Sequence, residues 1–447
     1  MSRAGCPGAR WPCRRHRTRG CWISGATAAR RAALQILDAV RSGATCQSAR
    51  ERALPTLAER DRRLAYELAA GVLRRRSQLD HVLSLATADP RLHDILRLGA
   101  YQLRALQRVP VYAAVSTSVE LAREAAGDGG ARYVNQALRR LARTGSGERG
   151  AVPSHPTWLV ARWTKRFGAE ETARLTAWND TKPALTLQPA AWSLDELRAR
   201  LTAAGFGVRE APYGAGVRVT AEGTAPRSPL PSRLPGFAEG AFVVQDPAHA
   251  LVCRYAGIPA GTLVYDACAA PGGKSVTLER GGARVVAGEA QALRMPRLVE
   301  TARRAGVAIR VAVADLLAAP FRPGAFGAVL VDAPCSATGT LARHPDARWR
   351  IASRTIVRAA ERQGVLLAAA ATLVGPSGVL VYATCSLESE ENDDVVTAFL
   401  DRRPDFTRAP VAGAVPADLL TPAGDFQALP QRHGTDGAYA ARLVRVR

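Results

Sequence analysis

From about residue 29 to 145 apolar positions recur at steps of three and four: Leu34, Leu37 and Val40; Leu64, Leu68 and Val72; Leu79, Val82 and Leu83; Ile95, Leu98, Leu103 and Leu106. Val115, Val119 and Leu121 continue the pattern, and Val134, Leu138 and Leu141 close it. This spacing lays one apolar stripe along each of a series of helices. Pro55, Asp89-Pro90, Pro110 and the run Gly127-Asp128-Gly129-Gly130 interrupt it. Such residues end helices, so the segment is expected to fold as a compact helical bundle. A polar Gly/Ser/Arg linker follows near 144–150.

Residues 153–240 mix periods. A helix is expected over 158–167, apolar at Leu159, Val160, Trp163 and Phe167, with a strand over 184–188 and a second helix over 193–204. Pro and Gly between 211 and 237 mark loops, and the whole reads as a small α+β connector. From 241 on, short and nearly continuous apolar runs at 262–266, 284–287, 309–313, 328–332 and 379–384 alternate with helical segments. A parallel sheet covered on both faces produces such runs. Ser353 is a candidate N-cap for the helix between the last two runs, and Gly375-Pro376 its stop. An alternating run at 439–446 is expected to add an edge strand. Ligands of such sheets bind at the carboxyl ends of the strands, where Asp266, Glu289, Asp315, Asp332 and Cys385 all fall.

A length of 447 residues exceeds what one core serves, so two or three domains are expected. No stretch approaches the roughly 18 consecutive apolar residues of a membrane span, and no apolar signal core stands near the start. A soluble, cytoplasmic chain is the expectation. Lys+Arg of 61 against Asp+Glu of 39 gives +22, which points to a polyanionic partner, with nucleic acid first. Lysine occurs only at Lys165, Lys182 and Lys274, so part of that charge is a habit of arginine usage. Residues 1–28 lack apolar periodicity, and no acidic residue precedes Asp38, so they read as a disordered basic tail, with a start codon placed too far upstream or an Arg-rich organelle transit peptide as the other readings. Eight cysteines without a close-spaced framework suit a reducing compartment. Cys6, Cys13, His16 and Cys21 do not make paired metal knuckles, and no metal is expected.

The chemistry-bearing strings lie in the last region. Asp266-Ala267-Cys268-Ala269-Ala270-Pro271-Gly272-Gly273-Lys274-Ser275 follows the first strand and leads into a helix, where glycines admit a ligand to the backbone and free N–H groups point outward. Gly273-Lys274-Ser275 matches the end of a P-loop, but the first glycine of that motif falls at Cys268. Glu289 follows the second strand, where an acid can accept from a ribose diol, and Asp315 and Asp332 follow the third and fourth. One acid at a strand end is ordinarily a cap or loop residue; three around one glycine loop suit an adenosine-containing ligand. Cys46, Cys253 and Cys268 read as small buried hydrophobes. Cys335 and Cys385 stand at the ends of two apolar runs beside that crevice. A thiolate can add to C6 of a pyrimidine and make C5 nucleophilic toward a methyl sulfonium, and a second thiol can assist release.

The strings DACAAPGGKS, DAPCSATGTLARHPD and YATCSLESEEN resemble the signature motifs of the RNA 5-methylcytosine methyltransferases. LAYELAAGVLRRRSQLD, LRLGAYQL, RVPVYAAV and YVNQALRR resemble the NusB-like RNA-binding domain, and SHPTWLVARWTKRFG and FVVQDPAHALV resemble a linking region. Together they resemble the RsmB (Sun/Fmu) family from about 29 to 447. The resemblance implies a multidomain protein: an all-α NusB-like bundle over 29–147, the α+β connector over 153–240, and an α/β Rossmann-like S-adenosylmethionine-dependent methyltransferase domain over 241–447. It implies methylation at C5 of one cytosine in small-subunit 16S ribosomal RNA by a monomer, with no membrane partner. Cys385 would be the nucleophile and Cys335 would promote release. S-adenosylmethionine would lie against Cys268, Ala269, Ala270, Pro271, Gly272, Gly273 and Lys274, with Glu289 on the ribose, Asp315 near the adenine and Asp332 near the methionine end or the target base. Two departures stand out: Glu289 occupies a position usually Asp, and the usual Asp-Gly-Phe-Phe is Asp436-Gly437-Ala438-Tyr439. Other readings are the reverse assignment of the thiols, another RNA as substrate, and an idle RNA-binding assembly factor.

Overall fold

The computed structural model describes residues 18–84, 89–144, 154–223 and 230–446. The chain divides into two compact units, Met1–Val160 and Ala161–Arg447. Cys6, Cys13 and His16, most of the expected linker, and residues 1–17 of the expected tail lie outside the described residues. Residues 18–28, assigned to that tail by composition, open the helix Thr18–Arg41.

The first unit is helical, with helices Thr18–Arg41, Cys46–Ala53, Glu59–Arg74, Arg76–Leu83, Pro90–Ala105 and Val111–Arg143. Their apolar stripes meet through Ile36, Leu68, Ile95, Leu121 and Leu138, all buried, as the three-and-four spacing requires. The Gly127-Asp128-Gly129-Gly130 run is a kink rather than an end: Ala126 and Gly127 leave helical geometry and the helix then resumes. Arg97 is buried between Asp80 (2.6 Å) and Asp94 (2.8 Å). The pairing matters because a lone buried charge costs several kcal/mol.

In the second unit a small antiparallel sheet is built from β1 (Leu185–Pro189), β2 (Phe206–Glu210), β3 (Val217–Gly223) and β4 (Phe242–Val244), in the order β2-β3-β1-β4. The helix Leu194–Ala203 starts at Ser193, whose hydroxyl accepts from Glu196 N at 3.1 Å, and it sets Leu197 and Leu201 against Leu187, Val217 and Phe242.

The large sheet comprises β5 (Leu263–Asp266), β6 (Arg284–Glu289), β7 (Arg310–Val313), β8 (Phe326–Asp332), β9 (Val374–Thr384), β10 (Phe406–Arg408), β11 (Phe426–Ala428) and β12 (Ala438–Arg445). Its order is β10-β12-β9-β8-β5-β6-β7, with β11 also paired to β12. Strands β5 to β9 are parallel, and β12 runs antiparallel to β9. Val264, Leu330 and Val381 face one core, while Tyr265, Val329, Val331, Leu380 and Tyr382 face the other, beside Leu366, Leu367 and Ala370 of the helix Ser353–Leu373. Burial on both faces explains why these strands read as unbroken apolar runs. The architecture is thus a helical bundle, an α+β connector and a Rossmann-like α/β domain. No helix among the described residues is long and apolar enough to cross a membrane.

Two local expectations are corrected. The last strand is not at the edge, since β12 lies between β9 and β10; the covering strands β10 and β11 are three residues each, too short to leave a periodic signal. Ser353 is the first helical residue, and Ala352 occupies the N-cap with no side-chain cap bond.

Candidate active site

Strands β8 and β9 are neighbours in register, with Asp332 opposite Ala383. The turns that leave them therefore start at one level of the sheet. Ala333 N donates to Ala383 O at 2.8 Å, and three residues past β8 and one past β9 the chain delivers Cys335 and Cys385 with their sulfurs 3.1 Å apart. Both are half-buried free thiols, and Cys385 N–H points at the Cys335 sulfur at 3.4 Å. The adjoining Cys385 thiol, burial and the Glu391 carboxylate push the Cys335 thiol well above its ordinary value.

A polar network under the thiols ties the two turns together. Fully buried Glu391 accepts from Ser336 N (2.8 Å), Gln363 Nε2 (3.0 Å) and the hydroxyls of Ser336 and Ser386. Gln363 also donates to Pro334 O at 2.9 Å, and Tyr382 OH donates to Glu391 O at 2.6 Å. Thr384 Oγ1 donates to Asn392 Oδ1 at 2.6 Å, and Asn392 Nδ2 donates to Ser386 O at 3.0 Å. Gly339 N donates to Cys385 O at 2.9 Å, and a Cβ at Gly339 would sit 2.7 Å from Gly437 Cα and 2.8 Å from that carbonyl. Only glycine fits there. The turn after Cys385 is held from the other side by Trp163 Nε1 on Glu388 at 3.1 Å, with Arg162 bonded to Glu388 and Glu390 and Arg166 to Leu387 O.

The glycine loop lies past β5. Gly272 adopts φ +100°, the left-handed region, and starts the helix Gly273–Arg280. Asp266, fully buried, accepts from Ser275 Oγ at 2.6 Å, and burial pushes its carboxyl up to about 6. Glu289 is buried and accepts from Gln291 N at 2.9 Å. Its Oε2 has no hydrogen-bond partner, although Arg294 Nη1 lies 3.0 Å away as an ion pair. Asp315 is exposed and caps the turn Leu316–Ala318 by accepting from Leu317 N at 3.0 Å. Cys268 is half-buried, and burial pushes its thiol up to about 12.

Lys274 points from the glycine loop to β8. Its Nζ donates to Asp332 Oδ2 at 2.6 Å and meets His249 Nδ1 at 3.0 Å. Burial disfavours its charge, but Asp332 outweighs burial and keeps Lys274 above its ordinary value. Burial, with Lys274 adding to it, holds His249 down to about 4, so the imidazole is neutral and accepts from the ammonium. Nearby, Arg343 bridges Asp246 and Asp436 at 2.7 Å each. Burial beside Asp246 pushes Asp436 up to about 7.

Of the residues singled out by sequence, the structure brings Cys335 to Cys385 and Lys274 to Asp332, while Asp266, Glu289 and Asp315 stand at the ends of β5, at the end of β6 and just past β7. Glu391, Gln363, His249 and Arg343 were not singled out. Glu391, His249 and Arg343 lie inside the quoted strings YATCSLESEEN, FVVQDPAHALV and DAPCSATGTLARHPD, whereas Gln363 sits mid-helix with no local signal.

Residues 259–444 match the family described as 16S rRNA methyltransferase RsmB/F, residues 27–143 match the NusB family, and residues 155–224 match an RsmF/B-like ferredoxin-like domain. The "Ribosomal RNA small subunit methyltransferase B" of Pseudomonas putida is 35% identical over 448 residues, covering 93% of this chain and 98% of its own. The "Probable ribosomal RNA small subunit methyltransferase B" of Synechocystis is 33% identical over 453 residues, covering 93% and 99%. Among solved structures, the crystal structure of PH0851 superposes with a TM-score of 0.76 at 22% identity, covering 93% of this chain and 98% of that one. NSun6 from Pyrococcus horikoshii with SFG superposes with a TM-score of 0.55 at 19% identity, covering 65% and 98%. The two structures establish the fold, the two relatives the lineage: the chain belongs to the 16S rRNA methyltransferase RsmB/F family.

Proposed function

We propose that this protein transfers a methyl group from S-adenosylmethionine to C5 of a specific cytosine in 16S ribosomal RNA, acting in the cytoplasm as a monomer through a covalent bond between Cys385 and C6 of the base. The observation that carries this reading is the pair of sulfurs 3.1 Å apart at the carboxyl ends of adjacent parallel strands, beside the Lys274–Asp332 pair. Few reactions call for two free thiols at one ligand crevice.

The residues present fit the methyl donor. The buried Glu289 Oε2, which takes no hydrogen bond beside its ion pair with Arg294, is an acceptor suited to a ribose hydroxyl, the loop from Cys268 through Ala269, Ala270, Pro271 and Gly272 to Gly273 presents backbone, and Asp315 offers an exposed acceptor for an adenine amino group. When bound, S-adenosylmethionine supplies the methyl group as an electrophile. The protein's own groups do the rest. Cys385, as thiolate, forms the S–C6 bond while the C5=C6 bond opens, so that C5 becomes the nucleophile. Negative charge spreads toward N3 of the ring, where the Lys274–Asp332 pair provides hydrogen bonding. After transfer a water molecule takes the C5 proton, the C5–H electron pair re-forms C5=C6, and the S–C6 bond breaks with its pair to return the Cys385 thiolate. Cys335, a thiol that holds its proton tightly, stands beside that departing sulfur. The target base must be presented unstacked, because C6 is shielded within a helix.

Cys385→Ala is expected to abolish formation of 5-methylcytosine in unmodified 16S ribosomal RNA, read by bisulfite sequencing. Cys335→Ala is expected to accumulate a protein–RNA adduct that survives denaturation. The adduct with Cys385→Ala instead would reverse the two roles, and wild-type turnover by Cys385→Ala would sink the reading.

A further inference from the structure

We infer that Glu391 is a positioning residue for the reaction, a buried clamp that fixes the spacing of the two sulfurs by holding the residue that follows each cysteine. The inference rests on the proposed covalent role of Cys385 and Cys335, and it assigns a task to a group that never touches the base.

Cys335 and Cys385 lie on separate turns, fifty residues apart in the chain, and nothing covalent sets their distance. Backbone bonds such as Gly339 N to Cys385 O also join the turns, but one carboxylate holds the residue that follows each cysteine. Oε1 of Glu391 accepts from Ser336 N at 2.8 Å and Gln363 Nε2 at 3.0 Å, and Oε2 accepts from both Ser336 Oγ and Ser386 Oγ. The two hydroxyls are themselves 3.2 Å apart. Ser336 and Ser386 are the next residues after Cys335 and Cys385, so one fully buried side chain sits one residue from each sulfur. Four donors saturate the carboxylate, which offsets the cost of burying its charge. Charge-assisted bonds of this kind are shorter and stiffer than neutral ones. An anion is needed rather than a neutral amide, because all four contacts are donated to it and Gln363 cannot reverse its amide without losing Pro334 O, its second acceptor at 2.9 Å. Gln363, on the helix Ser353–Leu373, in turn fixes the clamp to the core of the domain.

The two straps give separable consequences. Ser336 restrains the turn of the release thiol and Ser386 that of the attacking thiol. Ser336→Ala is expected to slow product release about tenfold and to accumulate the denaturation-resistant adduct. Ser386→Ala is expected to slow adduct formation about tenfold without accumulation. Glu391→Gln is expected to slow both steps, about tenfold to a hundredfold in kcat, the range that misplacement by about 1 Å produces, with the KM for S-adenosylmethionine unchanged. Single-turnover kinetics with unmodified 16S ribosomal RNA, adduct yield after denaturation, and S-adenosylmethionine affinity by calorimetry read these effects. If Glu391→Gln does not fold, the two serine variants carry the test. Wild-type rates for both serine variants overturn the clamp. A fall in cofactor affinity and thermal midpoint in step with turnover in all the folded variants also overturns it, leaving Glu391 a stability residue. Activity retained by Cys385→Ala would instead overturn the thiol assignment beneath, an outcome distinct from either.

Discussion

His249 shows how a residue with no chemistry of its own in the proposed reaction can set the state of one that has it. Its Nδ1 receives Lys274 Nζ at 3.0 Å while Lys274 also donates to Asp332 at 2.6 Å, so the ammonium is held between two acceptors in a buried position. The arrangement demands a neutral imidazole, and His249 is held down to about 4 against an ordinary 6.5. A depressed folded value means that the stabilising contribution is complete above pH 6.5 and is lost as pH falls toward 4, because the unfolded chain takes up the proton first. Comparing wild type with His249→Gln by denaturant unfolding should therefore show a wild-type advantage at pH 8 that shrinks, by on the order of 2 kcal/mol, at pH 4.5. An advantage that stays constant across this range would contradict the neutral assignment. The same contrast explains what the sequence makes legible at this scale. Cys335, Cys385, Lys274 and Asp332 announce themselves through strings whose chemistry is local. Glu391 and His249 matter through neighbours 55 and 25 residues away, and no local pattern encodes that.

Elements are legible where burial imposes a period, and illegible where three residues suffice. Strands β5 to β9 stand out because both faces are covered, whereas β10 and β11 leave too little alternation to be read, and so β12 passes for an edge. The turn Thr338–Thr340 is another such element: three residues that wedge between Cys385 O and Gly437. Its glycine can be tested against one that has room. A Cβ at Gly339 would press on backbone at 2.7 and 2.8 Å, while Gly364, inside the helix Ser353–Leu373, meets nothing within 4 Å. Gly339→Ala is expected to cost about 1–3 kcal/mol, the range for overpacking, and to remove most methyl transfer by displacing the Cys385 turn. Gly364→Ala is expected to raise stability by about 0.5–1 kcal/mol with turnover unchanged, as alanine is the better helix former. Thermal melts and turnover of the two variants, measured side by side, check both signs. Equal effects would mean that the Gly339 turn yields more easily than its backbone contacts imply.

At the scale of the whole molecule the controlling quantity is charge. A net +22 exceeds anything that folding or solubility requires, and it is carried almost wholly by arginine, whose planar fork pairs with phosphate oxygens in two bonds. Part of this charge is spent internally: Arg97, Arg343 and Arg348 are committed to Asp80, Asp94, Asp246, Asp436 and Asp180. Exposed arginines such as Arg303 and Arg174 pair with neighbouring glutamates on their own helices, which leaves them in solvent within reach of a polyanion. If ribosomal RNA is held mainly through its phosphates, binding releases counterions and log Kd must rise linearly with log salt. A footprint of about six to ten phosphates would weaken affinity on the order of 10³-fold to 10⁵-fold between 50 and 200 mM salt. Filter binding of unmodified 16S ribosomal RNA across that range measures the slope. Cys385→Ala should share it, because the thiol acts after docking, so its curve should overlay that of the wild type while its turnover is lost. A shallow slope would shift the affinity to base stacking and shape, and a slope altered by Cys385→Ala would mean that the covalent step contributes to the binding being measured.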